Sequence, residues 1–134
     1  MTYDEVADAI ISYFRTNWTT TPVLMDNQPG DVNSRTAWTR ISVQFNTSTQ
    51  MSIGSVNNRM FRRFGTLLIE VYTPKDTFTY TNTNYCDTIN ALFEGKQISG
   101  ITFQNTHVET IGLDFSTYEY QQNVISEFYF EIAR

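Results

Sequence analysis

The sequence predicts an α+β domain: a mainly antiparallel sheet with two helices packed on one face. Three observations carry this expectation. Two segments repeat apolar residues at three- and four-residue steps, several others alternate apolar with polar, and the order is helix, strands, helix, strands. At 134 residues the chain fits one domain, residues 1–134, able to bury a core without metals or a disulfide framework.

The first helix announces itself at Thr2. Thr2 followed by Glu5 fits a capping box, which satisfies orphan N–H groups of the first turn. Asp4, Glu5 and Asp8 place negative charge at the positive end of the helix dipole. Tyr3, Val6, Ala7, Ile10, Ile11, Phe14 and Trp18 then form one apolar stripe. Three threonines and Pro22 end the helix, because β-branched residues and the residue before proline favour extended chain. Val23, Leu24 and Met25 read as an edge strand, and residues 26–34, with Pro29 and Gly30, as a loop.

From Trp38 to Asn46 the alternation is regular. Thr39, Ile41, Val43 and Phe45 share one face, and Arg40, Ser42 and Gln44 the other. Gln50 to Ser55 reads as a further short strand, and Asn57-Asn58 as a turn. Met60 to Thr73 is the longest strand, with Leu67, Ile69 and Val71 opposite Leu68, Glu70 and Tyr72, and Pro74 closing it. After a polar loop over residues 75–81, a second helix runs from Asn82 to Glu94. Tyr85, Cys86, Ile89, Leu92 and Phe93 share its face, and Gly95 stands at the C-terminal cap position. Short strands follow near Ile98–Phe103 and His107–Leu113. In the last strand, Tyr120 to Ile132, Val124, Phe128, Phe130 and Ile132 alternate with Ile125, Glu127, Tyr129 and Glu131.

Charge is unevenly spread. Residues 32–69 hold Arg35, Arg40, Arg59, Arg62 and Arg63 and no acid; with a net charge of −5, the remainder carries −10. Folding does not require such segregation, so it speaks to partners and association. Charged residues make up 17% of the chain, fewer than the roughly 25% of an average domain. Thr and Asn fill the gap. A surface of hydroxyls and amides suits protein contact because burying it costs less than burying charge; a low-lysine genome would leave the same mark.

Little points to chemistry. The sole histidine, His107, lies on a strand, and nothing marks a serine or Cys86 as its nucleophilic partner. Cys86 falls on the apolar face of the second helix, a small core residue rather than a nucleophile. Acids, His and Cys are not clustered at metal-ligand spacing, and the six glycines form no phosphate loop. The expectation is therefore no enzyme, no cofactor and no metal. A single cysteine forms no intrachain disulfide, and no basic-then-apolar leader or long apolar run occurs, so folding in a reducing cytoplasm away from membranes is expected. The acidic balance argues against general nucleic-acid binding.

Alternation sends Arg62 and Arg63 to opposite faces, with Arg63 on the side of Leu67 and Ile69, near the sheet's rim. Three readings stay open. The arginines can block edge-to-edge aggregation at an exposed strand end, pair with Asp114, Glu119 or Glu127 of a neighbouring copy, or touch DNA phosphates.

In order and spacing, several stretches together resemble the tail terminator, or tail completion, proteins of long-tailed phages. They are the Tyr3–Trp18 helix, Trp38–Val43, Gln50–Gly54, Phe61–Pro74, Ala91–Lys96 and the strand entered at Tyr120–Val124. The resemblance covers nearly the whole chain and implies a ring-forming subunit. It implies a homo-oligomeric, hexameric ring in the virion, at the head-proximal end of the tail tube, assembled in the host cytoplasm. Its partners would be further copies of itself, the tail tube protein and the head-tail connector protein, with passive contact to DNA in the lumen. The family carries no catalytic residues. Candidate interface residues are Arg40, Arg59, Arg62, Arg63, Phe78 and Tyr80, the last two from a Thr/Asn/aromatic stretch over residues 75–85. A head-completion or neck ring protein is the alternative in the same setting, and a protein-binding module outside the virion the alternative from another class.

Overall fold

The computed structural model describes residues 1–25, 36–74, 79–114 and 119–134. Among them are helices α1 (Tyr3–Asn17) and α2 (Thr79–Phe93). The strands are β1 (Val23–Met25), β2 (Trp38–Gln50), β3 (Met60–Pro74), β4 (Gln97–Ile98), β5 (Ile101–Asp114) and β6 (Glu119–Ala133). They form one sheet of order β1-β2-β3-β6-β5-β4, antiparallel except for the parallel β1–β2 pair. Residues 26–34 and 75–78 of the expected loops lie outside the described residues, as do Arg35 and Phe78.

Both helices lie on the same sheet face. Val6, Ile10 and Phe14 of α1 and Cys86, Ile89 and Phe93 of α2 are buried in one cluster. That cluster also holds Ile41 of β2, Leu67, Ile69 and Val71 of β3, Phe103 of β5, and Val124, Phe128 and Phe130 of β6. The inward residues of β3 and β6 are thus those the alternation selects. Thr2 caps α1 as expected: its Oγ1 accepts the Glu5 N–H at 3.4 Å and donates to Glu5 Oε1 at 3.0 Å. Gly95 follows α2 at φ 68°, a left-handed value that a side chain would strain, and lets Lys96 N–H reach the Phe93 carbonyl at 3.1 Å.

Four boundaries differ from the sequence reading. β2 continues to Gln50 through a register shift between Phe45 and Ser48, and the short strand expected over Gln50–Ser55 does not form beyond Gln50. Residues 51–59 are instead the tip of a long β2–β3 hairpin. β5 is a single strand through His107, because the register shift between Gln104 and His107 breaks the alternation without breaking the pairing. The expected strand over Ile98–Phe103 is split by a two-residue turn, Ser99-Gly100, with both residues at positive φ. Finally, α2 starts at Thr79 rather than Asn82.

Asn82 explains how a weak helix-forming stretch is held. Fully buried, its Nδ2 lies 3.1 Å from the Val71 carbonyl, Thr73 Oγ1 and the Tyr120 carbonyl. One amide thus pins the first turn of α2 to the ends of β3 and β6. Asn82→Ala strips these acceptors of their donor inside the protein, and about 2–3 kcal/mol of stability should be lost in urea unfolding. An unchanged midpoint would show that the amide does not anchor the helix.

Candidate interface

The candidate arginines divide between the two ends of the sheet. Arg59 closes the tip of the β2–β3 hairpin, and Arg62 and Arg63 follow it on β3. Arg40 sits opposite Glu70, eight β3 positions from Arg62, roughly 26 Å along the strand. The structure therefore places three of the four at one end of the sheet, with Arg62 and Arg63 on opposite faces. Tyr80, in the first turn of α2, is 69% exposed and belongs to neither arginine group.

Each arginine has its own setting. Arg62 points to the open face, lies 4.5 Å over the Tyr129 ring and pairs with Glu131 at 2.6 Å. That pairing, chiefly its hydrogen bond, raises the Arg62 pKa. Arg63 points to the helix face and lies 4.2 Å over the Tyr3 ring. Its Nε is buried with no hydrogen-bond partner among the described residues. The opposite-face expectation for the pair holds. Arg59 donates from Nε to the Arg134 oxygen at 3.3 Å, and Arg40 lies 5.4 Å from the Trp38 ring centre.

The open face also carries a cluster that charge counting did not single out. Trp38 stacks on Tyr72 with ring centres 4.2 Å apart, and its indole donates to Glu119 Oε1 at 3.0 Å. Tyr72 in turn donates to Glu70. Burial, then that hydrogen bond, raises the Tyr72 pKa, so the phenol stays protonated. Glu119, considered above as a partner for a neighbour's arginine, is thus buried and engaged by its own chain. Glu127 accepts from Asn105 Nδ2 at 2.7 Å. The acid that meets Arg62 is Glu131, which strand register alone would have paired with it. Of the aromatics over residues 75–85, Tyr85 turns inward and packs on Trp18 at 5.6 Å.

Two further surface features emerge. The hairpin tip exposes Met51, Ile53 and Val56. Between α2 and β5 lies an open groove of about 570 Å³, lined by Tyr80, Thr81, Thr83, Asn84, Asp87 and Val108. Met51 and Ile53 were visible in the sequence, but reading residues 50–55 as a strand hid their exposure.

The cysteine is a core residue. Burial pushes the Cys86 thiol up to about 12 from 9.0. Because the folded value lies above the ordinary one, the stability gained by keeping the thiol neutral is whole below pH 9 and is lost as pH rises from 9 toward 12. Iodoacetamide at pH 8 should leave Cys86 unmodified in folded protein and alkylate it in urea; rapid native labelling would contradict its placement. His107 Nδ1 meets the Asn105 carbonyl at 2.9 Å on an exposed strand. Among the described residues, no group of three or more His, Cys, Asp or Glu is placed to hold a metal ion. No described helix is long and apolar enough to cross a membrane.

Comparison with known proteins adds the context for these surfaces. The chain is similar in fold to solved structures, 25 of whose chains match. One of them is 12% identical and superposes with a TM-score of 0.68, covering 100% of this chain and 97% of its own. At that identity the likeness speaks to the fold alone. No curated protein matches significantly in sequence. A family model described as phage tail terminator protein matches residues 5–119. The chain belongs to the phage tail terminator family, a family of structural virion proteins, and so has a structural role in a phage tail.

Proposed function

We propose that copies of this chain close into a hexameric ring at the head-proximal end of the tail tube. The ring ends tube polymerisation and offers the surface on which the head connector joins. The observation that carries this reading is charge segregation on a rigid scaffold. Arg59, Arg62 and Arg63 gather at the hairpin end of two long central strands, in a stretch with no acid from residue 32 to 69. Acids such as Asp87 of α2 and Glu109 of β5 stand on other elements. A surface basic at one place and acidic at another matches itself head to tail, the interface type that closes into rings. Because Arg62 is already paired with Glu131, Arg59 and Arg63 carry more of that complementarity. The protein acts as a structural component rather than an enzyme, with tube and connector proteins as partners and DNA passing through the lumen.

Light scattering on the purified protein at low and high salt tests this. A six-chain mass that dissociates as salt rises is expected, since exposed charge pairs are screened. Binding to purified tail tubes, and not to purified head portals alone, separates a terminator from a neck protein. A monomer at every concentration that also ignores tail tubes would overturn the proposal.

A further inference from the structure

We infer that the tip of the β2–β3 hairpin of one copy docks into the α2–β5 groove of the next, with Ile53 as the inserted side chain. This rests on the ring reading above and names a contact that builds it.

The hairpin tip is ordered without being buried. Asn58 N–H donates to the Ser55 carbonyl at 2.9 Å and Asn58 Nδ2 to Ser55 Oγ at 2.8 Å. Met60 N–H donates to Ser52 Oγ at 2.9 Å and Gln50 Nε2 to the Ser52 carbonyl at 2.8 Å. These polar bonds hold a defined turn that keeps Ile53 100% exposed and Val56 70% exposed. Turn tips are usually built from Gly, Asn, Asp and Ser. Apolar residues gathered on an ordered projection mark an interaction site.

The groove has the opposite character. Val108 supplies an apolar wall, and Ile111 and Leu113 extend exposed apolar surface along the same strand. Its Thr83 hydroxyl is already engaged, accepting from Gln122 Nε2 at 2.8 Å and donating to the Thr79 carbonyl at 3.2 Å. An aliphatic side chain can therefore lie against Val108 without orphaning that hydroxyl. Charge selects the same occupant. Exposed Asp87 borders the groove, whereas the hairpin tip carries Arg59 and no acid. A chain cannot fill its own groove. Val108 lies level with Val124 and Ile69, nine β3 positions from Met60, roughly 30 Å from the tip. Knob and socket on different ends of one rigid subunit make a head-to-tail contact between copies.

The test mixes Ile53→Cys protein with Val108→Cys protein under mild oxidation; native Cys86 is buried and stays out of the reaction. The expected product is a 53–108 disulfide heterodimer far in excess of dimers from either variant alone. Ile53→Asp should weaken self-association about tenfold or more, as loss of a central apolar anchor does, with an unchanged urea midpoint. No excess heterodimer, or an unchanged oligomer in Ile53→Asp, overturns the inference. If tail tubes shield the thiol of the Ile53→Cys variant from maleimide and no 53–108 bridge forms, the hairpin belongs to the tube and the inference is again overturned. The wild-type mass tells the failures apart: an oligomer without the bridge keeps the ring and discards this contact, whereas a monomer that ignores tubes removes both.

Discussion

Gly65→Ala is expected to destabilise the domain by about 3 kcal/mol, the upper part of the usual range for overpacking a core. Gly65 sits mid-strand in β3, between β2 and β6. An added Cβ would lie 2.5 Å from the Gln44 carbonyl oxygen and closer still to Phe128 Cζ. Neither neighbour can move cheaply. The carbonyl belongs to the paired β2 backbone, and the Phe128 ring is held by Phe45 and Phe103 at 6.1 and 5.9 Å. Urea unfolding followed by circular dichroism reads the effect directly. A midpoint equal to that of the unmodified protein would mean the sheet opens at Gly65 with little resistance, contrary to this packing.

Phe93→Ala should cost about 3–5 kcal/mol, a large share of the roughly 5–15 kcal/mol that holds a typical domain folded. Phe93 ends α2 and is fully buried where both helices meet the sheet. Its ring lies 5.5 Å from Tyr13, 6.4 Å from Phe14 and 5.1 Å from Phe103. Truncation opens a cavity bordered by rigid rings, which collapse poorly. Both helices lose their shared anchor, so protease cleavage within α1 and α2 should rise together. A loss below about 1 kcal/mol would show that neighbouring side chains close the space.

Much of this molecule is legible in its sequence. Val6, Ile10 and Phe14 recur at helical steps and are all buried; Leu67, Ile69 and Val71 alternate with wetter residues and are all buried. Thr2 and Gly95 marked helix ends because the chemistry of those ends is local. The misread segments share a cause. Asn105 and Thr106 together oppose Ser126, one extra residue that shifts the period without ending the strand, and Thr79-Tyr80-Thr81 become helical because distant carbonyls hold Asn82.

The candidate interface was legible in composition and obscure in arrangement. That residues 32–69 lack acids is a property of the chain. That Arg62 is neutralised by Glu131, 69 residues away, while Arg63 covers Tyr3, depends on which strands become neighbours. By itself the sequence determined the α+β class, the buried faces, the helix caps and the segregation of charge, because periodicity, capping and composition act over a few residues. Tertiary structure alone decided the sheet order, the exposed hairpin tip, the Trp38–Glu119 cluster and the α2–β5 groove. Those depend on contacts between residues far apart in the chain, whose pairing is chosen by the packing of the whole domain rather than by any local preference.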